Sequence, residues 1–157
     1  MLKVLMMFIK REEKAIILIA CVGTSPAVLT ETVWALAHES IPAIPERVVV
    51  ITTSTGRDRV VSELLTGENS VWSQMNMALF KDPHRIKLGT TDIRVIPDAN
   101  NNEVDDLRSA DDNMRAVRHF LRSCADCSAR AFIPTSSAEN GNTAICLCWP
   151  ALADCVR

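Results

Sequence analysis

Residues 21–36 read CVGTSPAVLTETVWAL, and the change of pattern within this stretch decides the fold. The stretch begins at the end of an apolar run rich in β-branched residues, AIILIACV at 15–22. Such a run is typical of a strand buried on both faces of a parallel sheet. Gly23 then permits a sharp turn, and Pro26 suits the first position of a helix. The stretch therefore predicts a strand, a tight turn and a helix.

The turn of this unit is also a candidate anion site. Thr24 or Ser25 can act as the N-cap of a helix whose inward face has helical spacing: Val28, Leu29, Thr32, Val33 and Leu36. The first N–H groups of a helix are unpaired and carry partial positive charge, which favours phosphate or carboxylate. The alternative is a purely structural turn, since βα turns generally need a glycine and a cap. No G-x-G-x-x-G or G-x-x-x-x-G-K-[ST] motif is present, which disfavours a dinucleotide site or a P-loop.

A second strand ends in the same way. The run RVVVITTS at 47–54 predicts another buried strand, and the helical pattern of 57–65 follows it. Between them lies a turn rich in hydroxyl groups, TTSTG at 52–56. Parallel neighbours present their carboxyl ends at one edge of the sheet, where doubly wound sheets bind ligands. The two turns therefore predict a shallow cleft of hydroxyls and backbone N–H groups.

The rest of the pattern predicts alternating helices and strands. Residues 69–80 predict a helix, DIRVIPD at 92–98 a third strand, and the acidic segment 101–113 leads into another helix. Asp112 or Asn113 is the expected cap of that helix, and its expected inward face is Met114, Val117, Phe120 and Leu121. We predict an α/β fold with a Rossmann-like, doubly wound, mainly parallel sheet.

Length and charge restrict the function. A chain of 157 residues with a formal net charge of −2 suits one domain and argues against a protein that coats DNA. No apolar run reaches the roughly 18 residues of a membrane span, and the apolar start lacks a signal-peptide cleavage pattern. We expect no membrane partner and a cytoplasmic protein. The expected organisation is an N-terminal extension (1–14), a Rossmann domain (15–123) and an atypical C-terminal segment (124–157).

The six cysteines offer a metal site as an alternative. Five of them fall in 124–157, and the pairs at 124 and 127 and at 146 and 148 provide four possible zinc thiolates. The second pair has the wrong spacing for a zinc knuckle, and neither pair has a glycine-bearing turn. We therefore expect no metal site and, in a cytoplasmic protein, no disulfide framework.

Together the motifs VGTSPAVLTETVWAL, VVVITTSTG and DLRSADDN resemble the CRISPR-associated Rossmann-like (CARF) proteins of type III systems, in particular the standalone branch that includes the ring nucleases. The resemblance extends over about 15–121. It implies a homodimer that binds a cyclic oligoadenylate, typically cyclic tetra-adenylate, across its two-fold axis. It implies no metal or cofactor, and some members cleave the ring.

The same resemblance implies site residues. Ser25 matches the serine that contacts the ligand and assists cleavage, and the turn around it matches the one that approaches the phosphodiester backbone. The implied ligand-binding residues are Gly23, Thr24, Ser25 and Pro26 of the first turn, Thr53, Ser54 and Gly56 of the second turn, and Arg108 and Asn113 of a polar loop.

One family feature is missing from the chain. The family carries a late Gly-Gly-Arg-Lys-type motif whose lysine neutralises charge on the reacting phosphate, and here no lysine follows Lys87. The corresponding place reads SSAENGNTA. In another register, degenerate codons from Ser137 onward can encode Gly-Gly-Glu-Arg-Lys, so a frameshifted C-terminus stands beside a native one as a hypothesis.

Three functions therefore compete. A ring nuclease comes first, and a cyclic-oligoadenylate sensor or sponge that binds without cutting is the alternative. An unrelated Rossmann-like enzyme such as a methyltransferase comes third, because it would need a carboxylate after the second strand to hold ribose hydroxyls. That strand ends in Ile51 and a run of threonine and serine instead.

Overall fold

The computed structural model describes residues 16–126, 130–132 and 143–147, with side chains as far as Ser123. The predicted extension 1–14 lies outside these residues, as do positions 127 and 148 of the cysteine pairs and residues 136–142 at the place of the late basic motif. The domain boundaries drawn from the sequence therefore stay predictions.

Helices and strands alternate along the described chain. The strands are β1 (Ile16–Cys21), β2 (Arg47–Thr52), β3 (Ile93–Val95), β4 (Arg130–Phe132) and β5 (Thr143–Leu147). The helices are α1 (Ala27–Ala37), α2 (Ser54–Val60), α3 (Val71–Phe80) and α4 (Ala110–Asp126). A π-helical turn, Val61–Leu65, continues α2, and a 3₁₀ turn, Thr90–Asp92, precedes β3.

All the strand pairs of the described sheet are parallel, in the order β3-β2-β1-β5-β4. The chain leaves β1 in one direction through β2 and β3 and then crosses to the other side of β1. This confirms the prediction of a Rossmann-like α/β fold. In register, Ile19 pairs with Val49 and Cys21 with Ile51, so β1 and β2 end side by side.

Both faces of the sheet are buried, as the continuous apolar runs predict. Alternate residues of β1 and β2 face opposite sides of the sheet. One side packs on α1, α2 and α3, through a core that includes Leu18, Val50, Leu29, Val33, Val60 and Trp72. The other side packs on α4, through Ile19, Val49, Ile51, Ile96, Ala116 and Phe120. The fold thus places α1 and α4 on opposite sides of the β1 carboxyl end.

The predicted cap of α1 is wrong by one or two residues. Pro26 itself occupies the N-cap position with helical dihedral angles, and its carbonyl accepts the Leu29 N–H at 3.0 Å. No side chain caps the helix. Thr24 and Ser25 are exposed in the turn before it. The first N–H groups of α1 therefore lack the hydroxyl acceptor that the sequence pattern predicts.

The cap of α4 also differs from the prediction. Ser109 Oγ accepts the Asp112 N–H at 3.1 Å, and the Asp112 carboxylate accepts the Ser109 N–H at 3.0 Å. This reciprocal pair is a capping box, with Asp112 inside the first turn rather than at the cap. Side-chain hydrogen bonds lower the pKa of the Asp112 carboxyl to about 2; the bond from the Ser109 hydroxyl has the largest effect and the bond from Arg115 the next largest. The box fixes the chain direction where the polar loop, residues 96–109 between β3 and α4, enters the helix.

The inward face of α4 is rotated from the predicted one. Phe120 is buried and Val117 is half-buried, as expected, but Met114 is 40% exposed and Leu121 59% exposed. Among the described side chains of α4, those of Ala116, Phe120 and Ser123 are buried, and of these only Phe120 belongs to the predicted face. The apolar face of α4 is therefore wider than the part that packs on the sheet. In α3, Val71 is likewise an exposed apolar residue.

Gly56 generates a stability prediction, because a Cβ built on it would lie 1.9 Å from Thr52 Oγ1 and 2.9 Å from the Gly23 carbonyl oxygen. The Gly23 backbone cannot move away from this Cβ without a large cost in free energy. We expect Gly56→Ala to lower the free energy of unfolding by about 3 kcal/mol, the cost of overpacking at a buried site. Chemical denaturation measures the change. Gly23→Ala is the matched control, since its Cβ would meet nothing within 4 Å, and equal stability of the two variants would contradict the prediction.

Candidate functional site

A cavity of about 420 Å³ opens where β1 and β2 end. Its apolar floor comes from the strand ends, from the loop before α4 and from α4 itself: Cys21, Val22, Ile51, Ile96, Leu107 and Ala116. Its rim is polar and includes Gly23, Thr24, Thr53, Thr55, Asp105, Asp106, Arg108 and Asn113. The cavity therefore combines an apolar surface with donors and acceptors at its mouth, as ligand sites usually do.

Buried hydrogen bonds hold the floor together. The Thr52 hydroxyl donates to the Val22 carbonyl at 2.6 Å, and the Val22 N–H donates to the Ile51 carbonyl at 2.9 Å. Thr52 is 1% exposed, so its hydroxyl serves the structure and is not available to a ligand. On the other side, the Ile96 N–H donates to the Thr52 carbonyl at 2.9 Å. The ends of three consecutive strands are thereby locked in one arrangement.

The second turn presents only part of its hydroxyls to the cavity. Thr53 lines it and also caps α2, because its Oγ accepts the Gly56 N–H at 3.2 Å. The Ser54 N–H donates to the Val104 carbonyl at 2.8 Å, which ties α2 to the polar loop. Gly56 is buried against Thr52 and does not line the cavity. Thr53 can still donate its own proton to a ligand.

The polar loop folds over the cavity along a defined path. The Val104 N–H donates to the Ile96 carbonyl at 3.0 Å, and the Arg57 guanidinium pairs with Glu103. At the loop's outer end the Asp98 carboxylate accepts the N–H groups of Asn100 and Asn102. The Asn102 N–H lowers the pKa of the Asp98 carboxyl by stabilising its charged form. These contacts bring 105–108 to the mouth of the cavity.

Two carboxylates and one guanidinium share that mouth. Arg108 Nε lies 3.2 Å from Asp106 Oδ2, and its terminal nitrogen lies 4.0 Å from Asp105 Oδ2. All three side chains are exposed. Among the lining residues that the structure describes, Arg108 is the one cation. A bound phosphate must therefore compete with Asp105 and Asp106 for this guanidinium, whereas ribose hydroxyls and amino groups find acceptors in the two carboxylates.

The structure brings together five of the nine residues that the resemblance implies. Those that line the cavity are Gly23, Thr24, Thr53, Arg108 and Asn113. Ser25 is exposed on the adjoining turn, and Pro26 is buried at the start of α1; neither is a lining residue. Ser54 donates its backbone N–H to the Val104 carbonyl and Gly56 is buried against Thr52, and neither is a lining residue.

Sequence reasoning missed other residues of the cavity. Thr55 belongs to the hydroxyl-rich turn and could have been included with its neighbours. Asp105 and Asp106 read as part of an acidic segment before a helix, which gives no signal of a ligand. Cys21 forms part of the floor because β1 ends there. Of the missed residues, Asp105 and Asp106 are the ones whose position depends on how the polar loop folds.

Among residues 16–126, 130–132 and 143–147, which the structure describes, no three His, Cys, Asp or Glu side chains come together as a possible metal site. The helices that the structure describes include none long and apolar enough to cross a membrane.

Comparison with known proteins identifies a family. Residues 25–130, more than half of the chain, match the family described as CRISPR-associated protein NE0113. The match includes Ser25, the two helices that line the cavity (α2 and α4) and the whole polar loop. Searches of curated proteins and of solved structures find no match. The chain therefore belongs to the CRISPR-associated protein NE0113 family.

Proposed function

We propose that this CRISPR-associated protein binds a cyclic oligoadenylate, with cyclic tetra-adenylate as the expected ring, at the cavity where β1 and β2 end. The observation that carries the proposal is the grouping of Gly23, Thr24, Thr53, Arg108 and Asn113 around one opening. These residues come from three separate segments, and the CARF resemblance assigns each of them to the ligand. Membership of a CRISPR-associated family is consistent with that assignment.

The first turn supplies donors for phosphate. Gly23, Thr24 and Ser25 are exposed, and no side chain caps α1 behind them. The first N–H groups of α1 and the hydroxyls of the turn can therefore donate to phosphate oxygens. An unsubstituted backbone at Gly23 allows close approach, since nothing lies within 4 Å of a Cβ there.

The polar loop and the first turn of α4 supply contacts to ribose and base. Asp105 and Asp106 accept hydrogen bonds from hydroxyl and amino groups, and the Asn113 amide both donates and accepts. The apolar floor suits the face of a purine. A two-fold symmetric ring needs matching contacts on two sides, so we propose that two chains share one ring as a homodimer.

Cleavage would proceed without a metal. A ribose 2′-oxygen forms a bond to its own phosphorus as its proton leaves, and the bond from phosphorus to the 5′-oxygen breaks. The 5′-oxygen takes up a proton, and a 2′,3′-cyclic phosphate remains. Alignment and donors aimed at the developing charge supply the acceleration. We assign Ser25 to orientation of the reacting phosphate.

A sensor or sponge that does not cleave is the second candidate, and the charges of the cavity favour it. Arg108 is held by two carboxylates, and no lysine follows Lys87 in the chain. Removal of one preorganised donor typically slows a reaction by about 10²–10³-fold. The absence of one such donor therefore lowers the rate of cleavage more than it lowers the affinity for the ligand.

Binding is tested by titrating labelled cyclic tetra-adenylate into the homodimer. We expect Arg108→Ala to weaken binding about tenfold, the loss of one charge-assisted hydrogen bond. Asp106→Asn should instead tighten binding, because it releases Arg108 and removes a negative charge from the mouth. Arg59→Ala is the matched control, since Arg59 of α2 pairs with Glu63 of the following π-helical turn and is not a lining residue. No binding by the unaltered chain would contradict the proposed function.

Two measurements test the role of Ser25 and separate the nuclease from the sensor. They are ligand binding by Ser25→Ala and product formation by the unaltered chain. We expect Ser25→Ala to weaken binding by about 1–2 kcal/mol, the range for a hydrogen bond to a charged group. Product formation by the unaltered chain, in the presence of a chelator, should be slow or absent. Ser40→Ala, an exposed serine after α1, is the control. Rapid cleavage by the unaltered chain would contradict the role given to the missing lysine.

A further inference from the structure

The polar loop is attached to the rest of the protein on both sides of the residues that it brings to the cavity. The first attachment is Val104, whose N–H donates to the Ile96 carbonyl at 3.0 Å and whose carbonyl accepts the Ser54 N–H at 2.8 Å. The second is the capping box at the start of α4. The residues between the two attachments, 105–108, form the mouth segment, and all four of them line the cavity. The position of the mouth segment therefore depends on these attachments.

One ion pair reinforces the first attachment. The Arg57 guanidinium of α2 pairs with the carboxylate of Glu103, the residue directly before Val104. The Arg57 N–H donates to the carbonyl of Thr53, the cap of the same helix, at 2.9 Å. Thr53 lines the cavity, whereas Arg57 is not a lining residue. The Arg57 side chain therefore joins the wall formed by the second turn to the wall formed by the polar loop.

The guanidinium has a second carboxylate partner that does not belong to the loop. Arg57 Nε lies 3.2 Å from Asp58 Oδ1, but Asp58 is the next residue of the same helix. The Asp58 side chain is 73% exposed, against 53% for Glu103 and 33% for Arg57. Of these two ion pairs, the one with Glu103 connects α2 to the loop. Loss of the Asp58 carboxylate should thus leave the loop in place.

We propose that Arg57 is a positioning residue for the ligand site: through Glu103 it holds the mouth segment over the cavity. The inference rests on the proposed function, because it concerns affinity for the same ligand. Exposed ion pairs contribute little to the stability of a whole domain. Local opening of a loop can cost far less free energy than global unfolding, so one such pair can change the fraction of open loops severalfold.

The sign of two single substitutions distinguishes positioning from simple attraction between charges. Arg57→Ala and Glu103→Ala both break the ion pair, so we expect each to weaken binding of labelled cyclic tetra-adenylate about threefold. If Arg57 acted only by attracting phosphate, Glu103→Ala would remove a negative charge and tighten binding instead. Both substitutions together should weaken binding no more than either one alone, because the contact is already lost.

Two further substitutions are matched controls. Asp58→Ala removes the other carboxylate from the same guanidinium, and Arg59→Ala removes the same charge from α2, where Arg59 pairs with Glu63. We expect neither to change the affinity. The exchanged pair, Arg57→Glu with Glu103→Arg, restores an opposite-charge contact between α2 and the loop. It should recover most of the affinity of the unaltered chain.

The attachment of the loop is measured separately, in the chain without ligand. Hydrogen exchange is followed at the N–H groups of Val104 and Ser54, which form the first attachment. We expect both to exchange about threefold faster in Arg57→Ala and in Glu103→Ala, because loss of the ion pair favours local opening. In Asp58→Ala both should exchange at the rate of the unaltered chain.

The outcomes separate this inference from the proposed function. Weaker binding by both single variants, with recovery in the exchanged pair, supports the positioning role. Tighter binding by Glu103→Ala, or unchanged exchange at Val104 and Ser54 in both single variants, overturns it and leaves ligand binding by the unaltered chain in place. Failure of the unaltered chain to bind cyclic tetra-adenylate overturns the proposed function and, with it, the role of Arg57 in affinity.

Discussion

The hydrogen bond from the Thr52 hydroxyl to the Val22 carbonyl joins the carboxyl ends of β1 and β2 in the interior of the protein. An unpaired carbonyl or hydroxyl there would cost free energy, so each group depends on the other. Gly56 packs directly against the same hydroxyl and the Gly23 carbonyl, which brings the first turn of α2 to the strand ends. This contact holds the two turns together at the edge where the parallel strands end, and the cavity lies between them.

Much of this edge could be predicted from the sequence. The apolar runs at 15–22 and 47–54 predict strands buried on both faces, and parallel neighbours must end at the same edge. The first turn and Thr53 follow from that rule. The positions of Asp105, Asp106 and Arg108 do not, because the loop path depends on distant hydrogen bonds between Val104 and the backbone of Ile96 and Ser54. No local pattern encodes those contacts.

Helix α4 shows a second limit of sequence patterns. Its periodicity correctly predicts a helix with a wide apolar face and a buried Phe120. Periodicity measures the width of that face but not what covers it. The sheet covers the part around Ala116 and Phe120, and Met114 and Leu121 remain at the surface. The predicted face of α4 is wrong at those two residues because the pattern does not specify which part of the face the sheet covers.

The charges at the mouth of the cavity bear on how the site would act. A ligand with several phosphates meets one guanidinium that is already engaged by Asp105 and Asp106. Exposed ion pairs of this kind contribute little to stability, so exchanging them for a phosphate costs little. Arg108 can therefore change partners on binding, while the backbone N–H groups of the first turn stay in place. Such a site favours capture of a ring over rapid cleavage of it.

Hydrogen exchange of the backbone amides, with and without cyclic tetra-adenylate, tests the central claim most directly. The account predicts that the ligand slows exchange in three segments that are distant in sequence, 22–28, 53–56 and 105–113, because together they surround one cavity. The exposed turn after α3, around Lys81 and His84, should exchange equally fast in both samples. Protection confined to that turn, or no change anywhere at saturating ligand, would contradict the account.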